Sequence, residues 1–285
     1  GLEHIFGIAQ SDLNKFIIII VITFIGLISV CLGLDKGIKR LSQVNMIIAL
    51  FMLLVVFALG PTIFILNSLV QNFGAYLNSI IQSATYTEAY DTSSWQNGWT
   101  LFYFTWWFAW APFVSLFIAR ISYGRTVKEF VIGVLFVPSL IVFIWMGIFG
   151  NAAIHQVINE TSNLGEIVSN NFPVALFSLY DAYPLSKILS IITLILIVTF
   201  FVTSSDSGSL VASMLSSKKQ FNINDDSPIF TRATWAILLG VLAAVLLKAG
   251  GLVALQTSVV ILGVPFAIIV IFAIKNLYKS LEDEL

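Results

Sequence analysis

The sequence predicts an all-α integral membrane protein with about seven transmembrane helices, and three observations carry that expectation. Hydrophobic residues make up 58% of the 285 and charged residues only 10%, with a mean hydropathy of +0.96. A soluble domain needs far more polar surface than that. The apolar residues fall in stretches of the roughly 20 that cross a bilayer core as helix, and the basic residues gather in alternate connections between those stretches.

Taken in order, the first span lies between Lys15 and Asp35, FIIIIVITFIGLISVCLGL. No charge occurs between Arg40 and Glu88. The second span takes about 44–70 of this stretch, and the more polar remainder, QNFGAYLNSIIQSATYTEAY, suits a short helix at the interface. A third span covers 95–121, and a fourth covers 127–154 before a long polar segment that reaches 183. The fifth span is 184–216. The sixth, 229–248, and the seventh, 252–274, are separated by the Gly250-Gly251 break.

Orientation follows from the basic residues. Lys36, Lys39 and Arg40 follow the first span; Arg120, Arg125 and Lys128 the third; Lys218, Lys219 and Arg232 the fifth; Lys275 and Lys279 the seventh. Segments 71–94 and 151–183 contain no Lys or Arg. The positive-inside rule then places the N-terminus outside and the C-terminus in the cytoplasm. The opening GLEHIFGIAQSDLNK lacks the pattern of a cleavable signal peptide and reads as the tail of a helix. We therefore expect further helices upstream.

Several function classes fit poorly. A single cysteine, Cys31, gives neither a disulfide framework nor a thiolate metal site, and His4 and His155 both lie at segment ends, away from any haem-ligand pair. An aspartyl hydrolase wants two membrane carboxylates sharing a proton, and only Asp206 lies well inside an apolar run. A serine hydrolase lacks a nearby membrane base. The protein is not expected to be an enzyme.

Two stretches carry the candidate chemistry. In the third span, a helical turn of about 100° per residue aligns Trp99, Tyr103, Trp106, Trp110, Phe113 and Phe117 in one stripe, with Trp107 about a quarter turn round. Trp95 and Trp99 suit an interfacial belt. Trp106, Trp107 and Trp110 fall near mid-membrane, where an indole N–H finds no water. They pack against neighbours or wall a box for a quaternary ammonium group. Pro112 removes the N–H that would bond the Phe108 carbonyl. In the fifth span, TFFVTSSDSGS at 199–209 puts Thr203, Ser204, Asp206 and Ser207 over roughly half the helix circumference. Hydroxyls and carbonyls of this kind suit a hard cation such as sodium, or bond back one turn, the reading favoured for Ser205 and Ser209. Asp206 is an intramembrane carboxylate and so a functional suspect; towards the cytoplasm it would meet water or Arg120, as a gate or a structural ion pair. Glu88, Asp91, Glu160, Glu166 and Asp181 are expected to be solvated in outer loops.

On these residues the chain resembles the betaine/choline/carnitine transporter (BCCT) family. The family's signature on its eighth helix is similar to GWTLFYFTWWFAW from Gly98 to Trp110, and ARISYGRTVKEF resembles the cytoplasmic loop that follows. The likeness runs over essentially all 285 residues, from the end of the family's fifth helix through its twelfth. It implies a LeuT-like inverted-repeat fold, with residues 1–94 ending the first repeat (two transmembrane helices and an interfacial helix) and 95–285 forming the second five-helix repeat. It implies substrate-binding roles for Trp106, Trp107 and Trp110. It also implies sodium ligation by Thr203, Ser204 and the Phe200 carbonyl, with Phe113 near a second sodium. The expected function is sodium-coupled symport of glycine betaine or a related osmoprotectant, with Na+ as coupling ion and no other cofactor, in the plasma membrane of a bacterium. A homotrimer is implied, with lipid as surroundings and no nucleic-acid partner. Sodium-independent choline- or carnitine-type exchange and a non-transporting membrane subunit are the alternatives. Phe104 departs from the family's usual Trp, the tail is short, and the glycine-rich segment of the first repeat lies outside this sequence.

Overall fold

In a computed structural model, residues 1–32, 39–217 and 227–283 are described, and their regular structure is entirely helical. Lys36, Lys218 and Lys219, which helped to set the expected orientation, lie outside these residues. Seven helices are long and apolar enough to cross a membrane, in the order expected. They are α2 (Asp12–Leu32), α3 (Lys39–Leu59), α5 (Phe102–Ile121), α7 (Val137–Ile158), α10 (Ser186–Ser216), α11 (Ile229–Ala249) and α12 (Gly251–Asp283). The other α-helices are α4 (Thr62–Ala84), which is long but more polar, and the short α1 (Leu2–Phe6), α6 (Val127–Val131), α8 (Leu164–Asn171) and α9 (Ala175–Asp181).

The boundaries show where local chemistry overrides hydropathy. The second span was expected to run to residue 70, but α3 ends at Leu59 and α4 begins at Thr62. Pro61 has no N–H to continue the ladder, and the Thr62 hydroxyl donates back to the Phe57 carbonyl at 2.8 Å. Proline has a similar effect near α7. Pro138 cannot bond one turn back, and residues Ile132–Phe136 widen into a π turn in which the Val137 N–H reaches the Ile132 carbonyl. Thr126 and Glu129 close a reciprocal capping box at the start of α6, the Thr-x-x-Glu pattern of a helix start. Between α11 and α12, Gly250 and Gly251 take φ of 143° and 61°, backbone that side-chain-bearing residues resist.

The described residues form two compact units. In the first, 1–83 with 124–204, α3 presents Asn45, Ala49, Met52 and Val56 as a buried stripe. Met52 and Val56 join Ile148, Phe149 and Ala152 of α7, with Leu179, Tyr180, Leu189 and Leu196, in one core. The polar 151–183 segment is tied by Gln156. Its amide donates to the Leu179 carbonyl at 3.0 Å and its side-chain oxygen accepts from the Ser162 hydroxyl at 3.1 Å. Tyr180 accepts from the Thr193 hydroxyl at 3.1 Å, and burial pushes its phenol up to about 12.

In the second unit, 84–123 with 205–285, α12 lies along α5. Gly263 is the buried residue of α12, while α5 buries Thr105 and Arg120. The second half of α10 meets α11 through the Trp235 indole N–H, which donates to the Ser216 hydroxyl at 2.8 Å. Ser213 donates to Ser227 at 2.7 Å.

Candidate functional site

The candidate ligand helix, α5, is fixed at its N-terminal end by a loop that sequence reasoning assigned to solvent. Glu88, at φ 52°, accepts the Ser93 hydroxyl at 2.6 Å and the backbone N–H groups of Trp95 at 2.5 Å and Gln96 at 2.9 Å. A carboxylate at a helix N-terminus satisfies donors that have no partner inside the helix. The Gln96 amide donates to the Tyr86 carbonyl, the Tyr86 hydroxyl donates to Asp91 at 3.0 Å, and the Tyr86 and Trp95 rings meet edge to face at 5.4 Å. Asp91 is exposed and Glu88 partly so, in keeping with their expected place in a solvated loop, and both also carry the loop's hydrogen bonds. No capping spacing connects Glu88 to Trp95, so the sequence held no signal for this tie.

The Ser93 hydroxyl, followed by the two backbone N–H groups, holds the Glu88 carboxyl below its ordinary value of 4.5. A depressed carboxylate contributes its stabilisation above that value and loses it as pH falls through the lower, folded-state one. Glu88→Gln is therefore expected to speed hydrogen exchange at the Trp95 and Gln96 amides at pH 7. Wild type should do so only in acid, below pH 4.5; equal exchange in the two proteins at pH 7 would remove the tie.

Beyond the loop, residues Gln96–Leu101 form a π turn leading into α5. A run of rings follows. Trp99 stacks on Tyr103 at 5.5 Å, Tyr103 lies 6.2 Å from Trp106 at 20°, and Phe102 meets Trp106 at 5.3 Å. Trp107 and Trp110 form a separate edge-to-face pair with centroids 5.9 Å apart. The trio is thus brought together unevenly, with Trp106 held by its own helical neighbours while Trp107 and Trp110 make a two-walled corner. Their exposures are 47%, 59% and 46%, so each leaves a large part of its surface open. An indole face turned outward attracts a cation without any hydrogen bond. Farther along, a side-chain carbon added at Gly208 of α10 would meet Phe113 Cζ at 3.6 Å. Phe113 therefore packs beside Gly208 of α10.

In the first unit, the Thr203 and Ser204 hydroxyls both donate to the Phe200 carbonyl, at 2.9 and 3.0 Å. Three oxygens thus converge in one turn of α10. A cavity of about 420 Å³ runs beside them, walled by Trp145, Phe149, Tyr180, Phe200, Phe201 and Ser204 among others. Ser209 bonds back to the Ser205 carbonyl at 2.8 Å, the helix-internal role expected of it. In the second unit, Asp206 is 1% exposed and Arg120 7%. The Arg120 guanidinium donates to the Met214 thioether at 3.8 Å.

Comparison with known proteins bears on the chain as a whole. A family model described as BCCT, betaine/carnitine/choline family transporter, matches residues 1–285. The glycine betaine transporter of Acinetobacter baylyi is 38% identical over 283 residues, 99% of this chain and 42% of that protein. The glycine betaine transporter of Bacillus subtilis is 39% identical over all of this chain and 54% of its own length. The high-affinity choline transport protein of Escherichia coli is 39% identical, again over the whole chain and 42% of its own length. This chain spans about half the length of these curated relatives. With the tryptophan-dense span and its basic loop inside a match that runs from end to end, the chain belongs to the betaine/carnitine/choline transporter family.

Proposed function

We propose that the protein serves sodium-coupled uptake of glycine betaine or a related quaternary ammonium osmoprotectant, by alternating access in a bacterial plasma membrane. The observation that carries this reading is the Trp107–Trp110 corner on a spanning helix, with both indoles largely open. A trimethylammonium group offers no hydrogen-bond donor, so aromatic faces are its natural contact. A free carboxylate beside it would suit choline, whose net charge is positive, better than zwitterionic betaine.

The coupling ion is assigned to Phe200, Thr203 and Ser204. Their three neutral oxygens are the right kind for a hard cation, and each hydroxyl, in donating to the Phe200 carbonyl, keeps lone pairs for an ion. They are fewer than the six or so such a cation takes, so other oxygens complete the shell. Phe113 is kept as a neighbour of a second sodium, with no oxygen ligand of its own. Asp206 and Arg120 lie towards the cytoplasmic end as gate or structural groups, the C-terminus is cytoplasmic, the fold is LeuT-like, and the assembly is a homotrimer. Sodium-independent exchange is the second reading, and the convergence of the two hydroxyls on one carbonyl favours the first.

Tryptophan fluorescence of the purified protein tests this. Glycine betaine is expected to change the emission at millimolar or lower concentration, and replacing sodium by potassium should weaken the response. A flat titration in both salts overturns the reading. A response indifferent to sodium leaves exchange.

A further inference from the structure

A helix that holds a ligand by open aromatic faces needs something behind it. On α5 the buried residue nearest the tryptophans is Thr105, and its neighbour across the interface is Gly263. A side-chain carbon added at Gly263 would overlap the Thr105 carbonyl oxygen and would lie 2.7 Å from Thr105 Cβ and 2.8 Å from Thr105 Cα. Optimal carbon–carbon separation is about 3.5–4.0 Å, so the added atom requires a shift of roughly 1 Å. Two of the three atoms met belong to backbone, which cannot swing aside as a flexible side chain can. The Thr105 hydroxyl adds no give, because it is bonded into its own helix at the Leu101 and Phe102 carbonyls, 2.6 and 3.0 Å away.

Direction matters more than tightness. With about 100° per residue and Thr105 as zero, Trp106 points to about 100°, Trp110 to about 140° and Trp107 to about 200°. Trp107 and Trp110 therefore lie on the side of α5 away from the Gly263 contact, with Trp106 on the flank. α12 is a backstop, and the missing side chain at 263 sets how far α5 stands from it.

We propose that Gly263 is a specificity-determining positioning residue, seating α5 so that Trp106, Trp107 and Trp110 leave room for three methyl groups on the bound nitrogen. Any larger residue drives α5 towards its tryptophan face and shrinks the ligand space. This rests on the reading of those tryptophans as the ammonium site. The prolines fit the same arrangement. Pro265 lies two residues beyond the contact in α12, and Pro112 lies beyond the tryptophans in α5. Each loosens the helix ladder on one side of the seat, so a push at Gly263 is carried by the turn that bears the tryptophans.

The test compares glycine betaine with dimethylglycine, which has one methyl fewer on nitrogen, by fluorescence titration of purified wild type and Gly263→Ala. One methylene in a fitted pocket discriminates by roughly 10- to 200-fold. Gly263→Ala is expected to weaken glycine betaine binding at least tenfold and dimethylglycine binding much less, shifting their ratio by about tenfold. Gly74→Ala, where an added carbon meets nothing within 4 Å, should leave the ratio unchanged. General loosening of the fold lowers both affinities together, and that outcome overturns the proposal, as does an unchanged ratio. If Gly263→Ala does not fold, Thr105→Ile adds bulk to the same contact through a side chain that can rotate. It should move the ratio the same way by a smaller factor; no movement again overturns the proposal. A wild type that binds neither compound defeats the ammonium-site reading instead, and is distinguishable on that ground.

Discussion

Trp107→Ala is expected to weaken glycine betaine binding by about 10- to 30-fold, the largest single loss among the tryptophans. A desolvated cation–π contact is worth up to about 2 kcal/mol, and 1.4 kcal/mol is roughly a factor of ten. The loss is placed at Trp107 because it is the most open of the three, 59% exposed, and because its removal also takes away the edge-to-face support of Trp110. Trp106→Ala should cost less, since that ring is engaged by Phe102 and Tyr103. Trp107→Phe keeps a smaller π face and should recover part of the affinity. Equilibrium binding of radiolabelled glycine betaine to the purified variants measures all three. If Trp107→Ala binds as wild type does, the indoles are packing groups and the ammonium site lies elsewhere.

Second in size, the double substitution Thr203→Ala with Ser204→Ala is expected to abolish the effect of sodium on glycine betaine affinity. Both hydroxyls converge on one carbonyl, so either alone keeps part of the oxygen set and each single variant should retain a reduced response. The check is a sodium titration at constant ionic strength with potassium as replacement. A double variant that still gains affinity with sodium at the wild-type midpoint would move the ion away from this turn.

Much of this was legible in advance because hydropathy and bilayer thickness act on contiguous residues. All seven spans were placed by uncharged runs, and the Gly250-Gly251 break by residue type. Errors fell where a single backbone group decided the matter: Pro61 ended α3 well before its apolar run was exhausted, and α12 ran on past 274 into charged residues. The convergence at Phe200 could be anticipated from a Thr-Ser pair within one helical turn. Glu88 could not, because its partners are reached through a left-handed backbone residue and a loop that no pattern encodes. Gly263 could not either. A glycine in an apolar helix is ordinary, and only the path of a distant helix reveals that this one has no room for a methyl group.

The seat beneath α5 also has a consequence for the order of synthesis. The ties of the 86–96 loop and the capping box at Thr126 join residues close in sequence, and such contacts close as soon as the segment emerges. Thr105 must wait for Gly263, which emerges only when the much later α12 is made. Until α12 is in place, α5 has its 86–96 loop but no backstop, and its indoles stand at no defined height. Ligand recognition is therefore expected to appear abruptly during biogenesis, when α12 docks. Chains arrested before α12 would be inserted and helical yet unable to hold the substrate.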